Sequence, residues 1–166
     1  GVENPTGKMA IGQISEALFL LLIPVFFGRY GFKKTILVGM LAWAIRYVMF
    51  AYGNGSDLSF MLIIGIALHG ICYDFFFVSG QIYTNSKAGA KYKSAAQGLI
   101  TLATYGIGML IGFAVAGWIT DNYKTVDGGT NWQMVWIIPA GIAFAVFMIF
   151  ALFYNQKKEV KTTVTL

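Results

Sequence analysis

The chain has 166 residues, of which 57% are hydrophobic and only 11% are charged, and its formal net charge is +5. Soluble domains carry about 25% charged residues, so this composition is typical of a membrane protein. The positive residues lie in short stretches between long apolar runs, which is the pattern of membrane topology and argues against nucleic-acid binding. One cysteine and one histidine provide neither a disulfide nor an ordinary zinc site, so we expect no metal and no cofactor.

Five apolar runs, each long enough to cross a bilayer, follow one another along the chain. Their predicted limits are residues 9–27, 35–52, 58–83, 94–119 and 132–154. Basic, polar or turn-rich segments separate them, including GRYGFKK at 28–34 and a predicted polar loop at 84–93. The sequence therefore predicts an all-α, polytopic membrane helix bundle with five transmembrane helices and no soluble domain.

Lysine and arginine predict the orientation of these spans. In a five-span topology nine of them fall on one side: Arg29, Lys33, Lys34, Lys87, Lys91, Lys93, Lys157, Lys158 and Lys161. Two, Lys8 and Lys124, fall on the other side. Because cytoplasmic loops are enriched in positive residues, we expect the N-terminus of this chain outside and its C-terminus in the cytoplasm.

The third span contains the most polar stretch within an apolar run, LHGICYDFFFVSGQIY at residues 68–83. At about 100° per residue, one arc of roughly 140° carries His69, Tyr73, Asp74, Phe77 and Gln81. A carboxylate within a membrane span is costly unless it faces protein, water or a ligand. We therefore interpret this face as the wall of a polar cavity in a membrane bundle.

The first span carries a second polar pair. Gln13 and Glu16 are three residues apart and share one helix face. Ionisable residues at this depth are functional by default, which applies to both Glu16 and Asp74. The alternative for each, and for His69, is a structural hydrogen bond or ion pair between helices.

Arg46 lies within the second span, seven residues before Gly53. This separation is roughly 10 Å along a helix, within reach of the outer interface for a long side chain. We expect Arg46 to extend toward that interface rather than to pair with Asp74 or Glu16.

The fourth span combines polar side chains with small residues. Gln97, Thr101, Thr104 and Tyr105 lie along one side of it. Gly108 and Gly112 follow at the small-xxx-small spacing that favours close packing against another helix.

Enzyme signatures are absent from the sequence. It contains no His-Glu-x-x-His motif and no phosphate-binding loop, since the glycines of GIGMLIG lie inside a span without a following Lys-Ser/Thr. Ser79 has no histidine at a plausible spacing for a nucleophile and its base. We therefore expect no enzymatic activity.

Four segments together resemble the C-terminal half of nucleoside–proton symporters of the major facilitator superfamily: GQISEALFLLLIP, LAWAIRYVMFAYG, LHGICYDFFFVSGQIY and AAQGLITLATYGIGMLIG. The resemblance covers nearly the whole chain. GRYGFKK is similar to the superfamily's loop after the second helix of a half, although Gly28 stands where that pattern has an acid. The resemblance implies a twelve-helix fold in two halves. This chain would supply helices eight to twelve, without the seventh helix and the N-terminal half.

The same resemblance implies a binding site. Gln13 and Glu16 match paired nucleoside-contacting positions on the eighth helix, and His69, Tyr73 and Asp74 match ligand-lining positions on the tenth. Tyrosine is common in the family at the position of His69. Ribose hydroxyls suit amide and carboxylate partners and a flat base stacks on aromatic rings, which adds Phe77 to the expected site.

These expectations combine into proton-coupled nucleoside uptake across the cytoplasmic (inner) membrane by alternating access. Asp74 is the expected proton-coupling acid, with Glu16 as the alternative. The expected partners are nucleoside, protons, the lipid bilayer and the remainder of the transporter. Two other functions remain open: transport of another small solute such as a sugar or peptide, and a membrane scaffold that does not transport.

Overall fold

The computed structural model describes residues 5–154, and nearly all of this part of the chain is helical. Four stretches are long and apolar enough to cross a membrane: Gly7–Tyr52, Ser59–Lys87, Gly89–Asn122 and Trp132–Phe153. The first has 46 residues. At 1.5 Å per residue this is about 69 Å, more than twice the roughly 30 Å hydrocarbon core of a bilayer. Its length therefore suffices for two crossings.

The first helical element, Pro5–Tyr52, divides at Gly31, where φ is 75° and ψ is 172°. A positive φ is readily adopted by glycine because it has no Cβ. We name the resulting helices α1 (residues 5–30) and α2 (residues 32–52), followed by α3 (Ser59–Lys87), α4 (Gly89–Asn122) and α5 (Trp132–Phe153). The predicted all-α membrane bundle is confirmed, and these helices follow the order of the five predicted spans.

The helices extend beyond the apolar runs at one end of the bundle. The segment 84–93, predicted as a polar loop, is helical except at Ala88, and Gly89 then starts α4 with φ of 66°. Lysine and alanine are good helix formers, so the helix continues after the hydrophobic run has ended. The loop prediction was therefore wrong, and the connection between α3 and α4 is a tight turn.

Aromatic contacts at both ends of α2 define its direction. Phe32 stacks on Tyr83 of α3 with ring centroids 4.0 Å apart and lies 5.9 Å from the ring of Tyr154, just after α5. At the opposite end, the ring of Phe50 lies 5.1 Å from Trp136 near the start of α5. Helix α2 therefore runs antiparallel to both α3 and α5.

Helix α1 runs in the same direction as α3. Near its start, a Cβ at Gly12 would lie 3.4 Å from Ile66, and farther along the ring of Phe26 lies 4.8 Å from Phe75. Helix α4 runs back, because Gln97 near its start donates a 2.8 Å hydrogen bond to the carbonyl of Gln81 near the end of α3. Successive helices thus alternate in direction. One end of the bundle collects the basic residues Arg29, Lys33, Lys34, Lys87, Lys91 and Lys93. Lys157, Lys158 and Lys161 lie outside the described residues.

The outer surface of the bundle is apolar. Leu21, Leu110, Phe113 and Phe153 are each more than 70% exposed. Soluble proteins rarely expose such large apolar surfaces, whereas a lipid environment favours them. Exposure of this kind agrees with the membrane class that composition predicts.

An apolar groove of about 780 Å³ separates α4 from α2 and α5, and Trp43, Phe77 and Gly112 are among its lining residues. A Cβ at Gly112 would have no atom within 4 Å among the described residues. The close helix packing expected at Gly108 and Gly112 is therefore not made by the helices that the structure describes, and it stays a prediction.

Candidate functional site

The site is built on a close contact between α1 and α3. A Cβ at Gly70 would lie 2.5 Å from the carbonyl carbon and oxygen of Ser15, so the two backbones meet where glycine leaves room. The hydroxyl of Ser15 also donates a hydrogen bond to the carbonyl of Ala67. This contact brings the next residue of α1, Glu16, alongside His69 of α3.

Three helices contribute to a chain of polar side chains. Nη1 of Arg46 on α2 lies 2.8 Å from Nδ1 of His69, and Nε2 of His69 lies 3.8 Å from Oε2 of Glu16. The side chains of His69 and Glu16 are 30% and 37% exposed. His69 is therefore held between a cation on one ring nitrogen and a carboxylate near the other.

The expected extension of Arg46 toward the outer interface is wrong. Its guanidinium carbon lies 5.5 Å from the ring centroid of Trp43 and 5.2 Å from that of Phe50. Nη1 also donates to Sγ of Cys72 at 3.6 Å. Aromatic faces and two acceptors on α3 hold the cation inside the bundle. The nearer acceptor, Nδ1 of His69, belongs to a residue 23 positions away in sequence.

An aromatic row continues from His69 along α3. Ring centroids are 5.6 Å apart for His69 and Tyr73, 5.2 Å for Tyr73 and Phe77, and 5.6 Å for Phe77 and Tyr105 of α4. The spacing of four residues places the three α3 side chains on one face. The hydroxyls of Tyr73 and Tyr105 are hydrogen-bonded, which joins α3 to α4.

Tyr105 and Arg46 were not among the predicted site residues. The polar face of α4 that carries Gln97 and Thr101 was the available signal for Tyr105. Nothing local in the sequence indicates that Arg46 meets His69, because that contact depends on how α2 packs on α3.

Asp74 departs from the common polar surface that was predicted. It is 1% exposed, whereas its neighbour Tyr73 and Phe77 are half-buried. Its Oδ2 atom has no hydrogen-bond partner among the described residues. Adjacent helical residues point about 100° apart, so the side that bears Asp74 is covered by protein while the aromatic row stays partly open. A π-helical turn, Asp74–Val78, begins at this residue.

A cavity of about 540 Å³ opens between α1, α2 and α3 beside this chain of side chains. Its polar lining consists of Lys8, Gln13, Arg46, Ser59, His69 and Trp136. Of the predicted site residues, Gln13 and His69 line this cavity. Glu16 lies 3.8 Å from His69, and the ring of Tyr73 lies 5.6 Å from that of His69. Phe77 lines the apolar groove. Within residues 5–154 no group of three potential ligands could hold a metal ion.

The chain matches the family described as nucleoside H⁺ symporter over residues 1–159. It is 37% identical over 171 residues to the putative nucleoside transporter YegT of Escherichia coli, covering 99% of this chain and 40% of that protein. It is 35% identical to the nucleoside permease NupG of Escherichia coli, covering 94% of this chain and 37% of the permease. For the xanthosine permease of the same organism the identity is 34%, with 95% and 38% covered.

The fold agrees with the same relatives. A crystal structure of the nucleoside transporter NupG matches with a TM-score of 0.82 and 34% identity, over 90% of this chain and 37% of that structure. The chain thus spans about two fifths of the length of these relatives. Its bundle is part of a larger major facilitator fold. The chain belongs to the nucleoside H⁺ symporter family.

Proposed function

We propose that this chain forms the C-terminal five helices of a proton-coupled nucleoside transporter that works by alternating access. Membership of the nucleoside H⁺ symporter family supports the class of substrate and the coupling ion. The sequence resemblance supports the assignment to helices eight to twelve.

The observation that carries the proposal is the convergence of two kinds of group at the contact of α1 and α3. Glu16, with Gln13 three residues earlier on α1, supplies carboxylate and amide groups beside His69. The aromatic row from His69 to Phe77 begins at the same point. A nucleoside needs both kinds of group, because its ribose offers hydroxyls and its base offers a flat apolar face.

The cavity beside this contact has the dimensions of a small-molecule site. Its volume of about 540 Å³ falls within the roughly 300–1,000 Å³ that is usual for such sites. Gln13 and His69 line it and Glu16 lies 3.8 Å from His69, so we propose these three as nucleoside-binding residues. We propose Tyr73 and Phe77 as further binding residues because they continue the aromatic row that begins at His69.

Asp74 is the proposed coupling acid. A symporter needs a group that accepts a proton from one side and releases it on the other, and the spans contain two acids, Glu16 and Asp74. Glu16 lies beside His69, which lines the cavity, whereas Asp74 is enclosed by protein and its Oδ2 has no partner among the described residues. We therefore assign substrate contact to Glu16 and proton exchange to Asp74.

The proposed location is the cytoplasmic (inner) membrane. The end of the bundle that collects Arg29, Lys33 and Lys87 would face the cytoplasm by the positive-inside rule, and the start of α1 would face outside.

Uptake by the full-length protein tests this function. Cells expressing it should accumulate radiolabelled uridine or adenosine above cells carrying an empty vector. A protonophore, which collapses the proton gradient, should abolish the accumulation. Absence of nucleoside uptake with normal membrane expression would favour a membrane scaffold. Uptake of a sugar or peptide instead would assign the same bundle to another solute.

A further inference from the structure

The contact of Arg46 with His69 determines where the imidazole carries its proton. A guanidinium has five N–H donors and no acceptor, so the 2.8 Å contact requires Nδ1 of His69 to accept. An accepting Nδ1 carries no hydrogen. The ring is then the neutral tautomer with its hydrogen on Nε2.

The carboxylate of Glu16 lies near that nitrogen. Nε2 lies 3.8 Å from Oε2 of the carboxylate, beyond the roughly 2.7–3.2 Å of a direct N–H···O hydrogen bond. A ligand hydroxyl to one side of this gap, within hydrogen-bond distance of both atoms, could accept from Nε2–H and donate to the carboxylate. Both side chains are about one third exposed, so the gap between them is accessible.

Arg46 is itself held in place from several sides. Trp43 and Phe50 of its own helix lie within 6 Å of its guanidinium, and Sγ of Cys72 is a second acceptor on α3. Its Nε atom is buried and has no partner in the described part of the chain. The guanidinium of Arg46 is therefore fixed on the side of α3 that carries His69.

We propose that Arg46 is a positioning residue for the nucleoside site: it fixes the tautomer of His69 that places an N–H donor opposite the acceptor Glu16. The resulting donor–acceptor pair selects ligands with a hydroxyl at this point, which means ribonucleosides over analogues that lack the hydroxyl. This inference rests on the proposed function.

Ligand selectivity provides the first test. The purified full-length protein should bind uridine more tightly than 2′-deoxyuridine or 3′-deoxyuridine, by roughly tenfold for the analogue that lacks the bridging hydroxyl. In Arg46→Met, which removes the donor at similar length, this ratio should fall to about twofold or less. Arg46→Lys, which keeps a cationic donor, should restore part of it. Arg29→Gln, at the basic end of the bundle, is the matched control and should keep the full ratio.

A purely structural Arg46 would give a different result. Loss of packing would weaken uridine and its deoxy analogues equally and leave the ratio unchanged, and that outcome would overturn the proposal. If the unmodified protein binds no nucleoside at all, the proposed function itself fails, which is a separate result.

Coupling between the two residues provides the second test. In a His69→Phe background, Arg46→Met should weaken uridine binding by no more than about twofold, because the ring through which Arg46 acts is gone. Independent, multiplicative losses from the two substitutions would contradict the assigned role.

The tautomer can also be read directly. Selective ¹⁵N labelling of histidine, with His69→Phe to assign the signals, should show a protonated Nε2 and an unprotonated Nδ1 in the unmodified protein. The opposite tautomer or an imidazolium would overturn the proposal. Because this measurement uses the unmodified protein, it tests the assigned tautomer even if Arg46→Met does not fold.

Discussion

Gly70 of α3 lies against the backbone of Ser15 in α1, so closely that a Cβ on Gly70 would come within 2.5 Å of the Ser15 carbonyl carbon and oxygen. Both atoms belong to the main chain and cannot turn aside as the end of a flexible side chain would. The contact therefore sets the register of the two helices. In this register the residue after Ser15 faces the residue before Gly70, and these are Glu16 and His69.

The first prediction follows from that contact. Gly70→Ala should destabilise the full-length protein by about 1–3 kcal/mol, because the added methyl forces the two backbones apart. It should also weaken nucleoside binding by moving Glu16 from His69. Thermal unfolding and calorimetric titration of purified protein measure both effects.

Gly141→Ala is the matched control for this prediction. Gly141 also lies within a helix, and a Cβ there would have no atom within 4 Å among the described residues. Equal stability of the two variants would show that the α1–α3 contact is looser than the structure indicates.

Patterns local to one segment predicted the helices well. Long apolar runs define where a chain can cross a bilayer. The structure adds a cap that was not predicted, because the side chain of Asn131 before α5 accepts from the amide of Met134. The limits were less accurate at 84–93, because hydropathy reports the end of the apolar run and not the end of the helix.

Contacts between helices could be predicted only in part. The polar residues of α1 and α3 were found because each is anomalous within its own apolar run. The burial of Asp74 depends on what covers that side of α3, and the bond between Arg46 and His69 depends on the packing of α2. Neither leaves a periodic signal in one segment.

The second prediction concerns substrate contact at α1. Glu16→Gln and Gln13→Ala in the full-length protein should each raise the Kd for nucleosides by roughly tenfold, because a lost hydrogen-bonding partner costs about 1–3 kcal/mol. Asp57→Asn and Gln133→Ala make the same kinds of change at exposed positions outside the cavity and serve as controls. Unchanged calorimetric affinity in both α1 variants would remove these residues from the site.

The third prediction concerns orientation. In a Cys72→Ser background, Asp57→Cys and Asp127→Cys should react with an impermeant maleimide on intact cells, because these exposed residues lie at the end opposite the basic cluster. Lys91→Cys and Lys158→Cys should react only after lysis; Lys158 lies outside the described residues. The reverse pattern would invert the topology, and a mixed pattern would change the number of crossings.

The last prediction concerns energy coupling through Asp74. Its side chain is 1% exposed, and its Oδ2 atom has no hydrogen-bond partner among the described residues. Moving a bare charge through a poorly hydrated constriction is costly, so the coupling acid should be neutral while the loaded carrier reorients. Asparagine has nearly the shape of a protonated aspartic acid but cannot release a proton.

Asp74→Asn in the full-length protein should therefore still bind nucleoside and still exchange it across the membrane, while losing accumulation driven by a pH gradient. Proteoliposomes separate the two activities: exchange of labelled for unlabelled nucleoside needs no gradient, whereas net accumulation does. Asp57→Asn changes an exposed acid and should accumulate nucleoside normally. If Asp74→Asn concentrates nucleoside as the unmodified protein does, the proton is carried by Glu16 or by a group outside this chain.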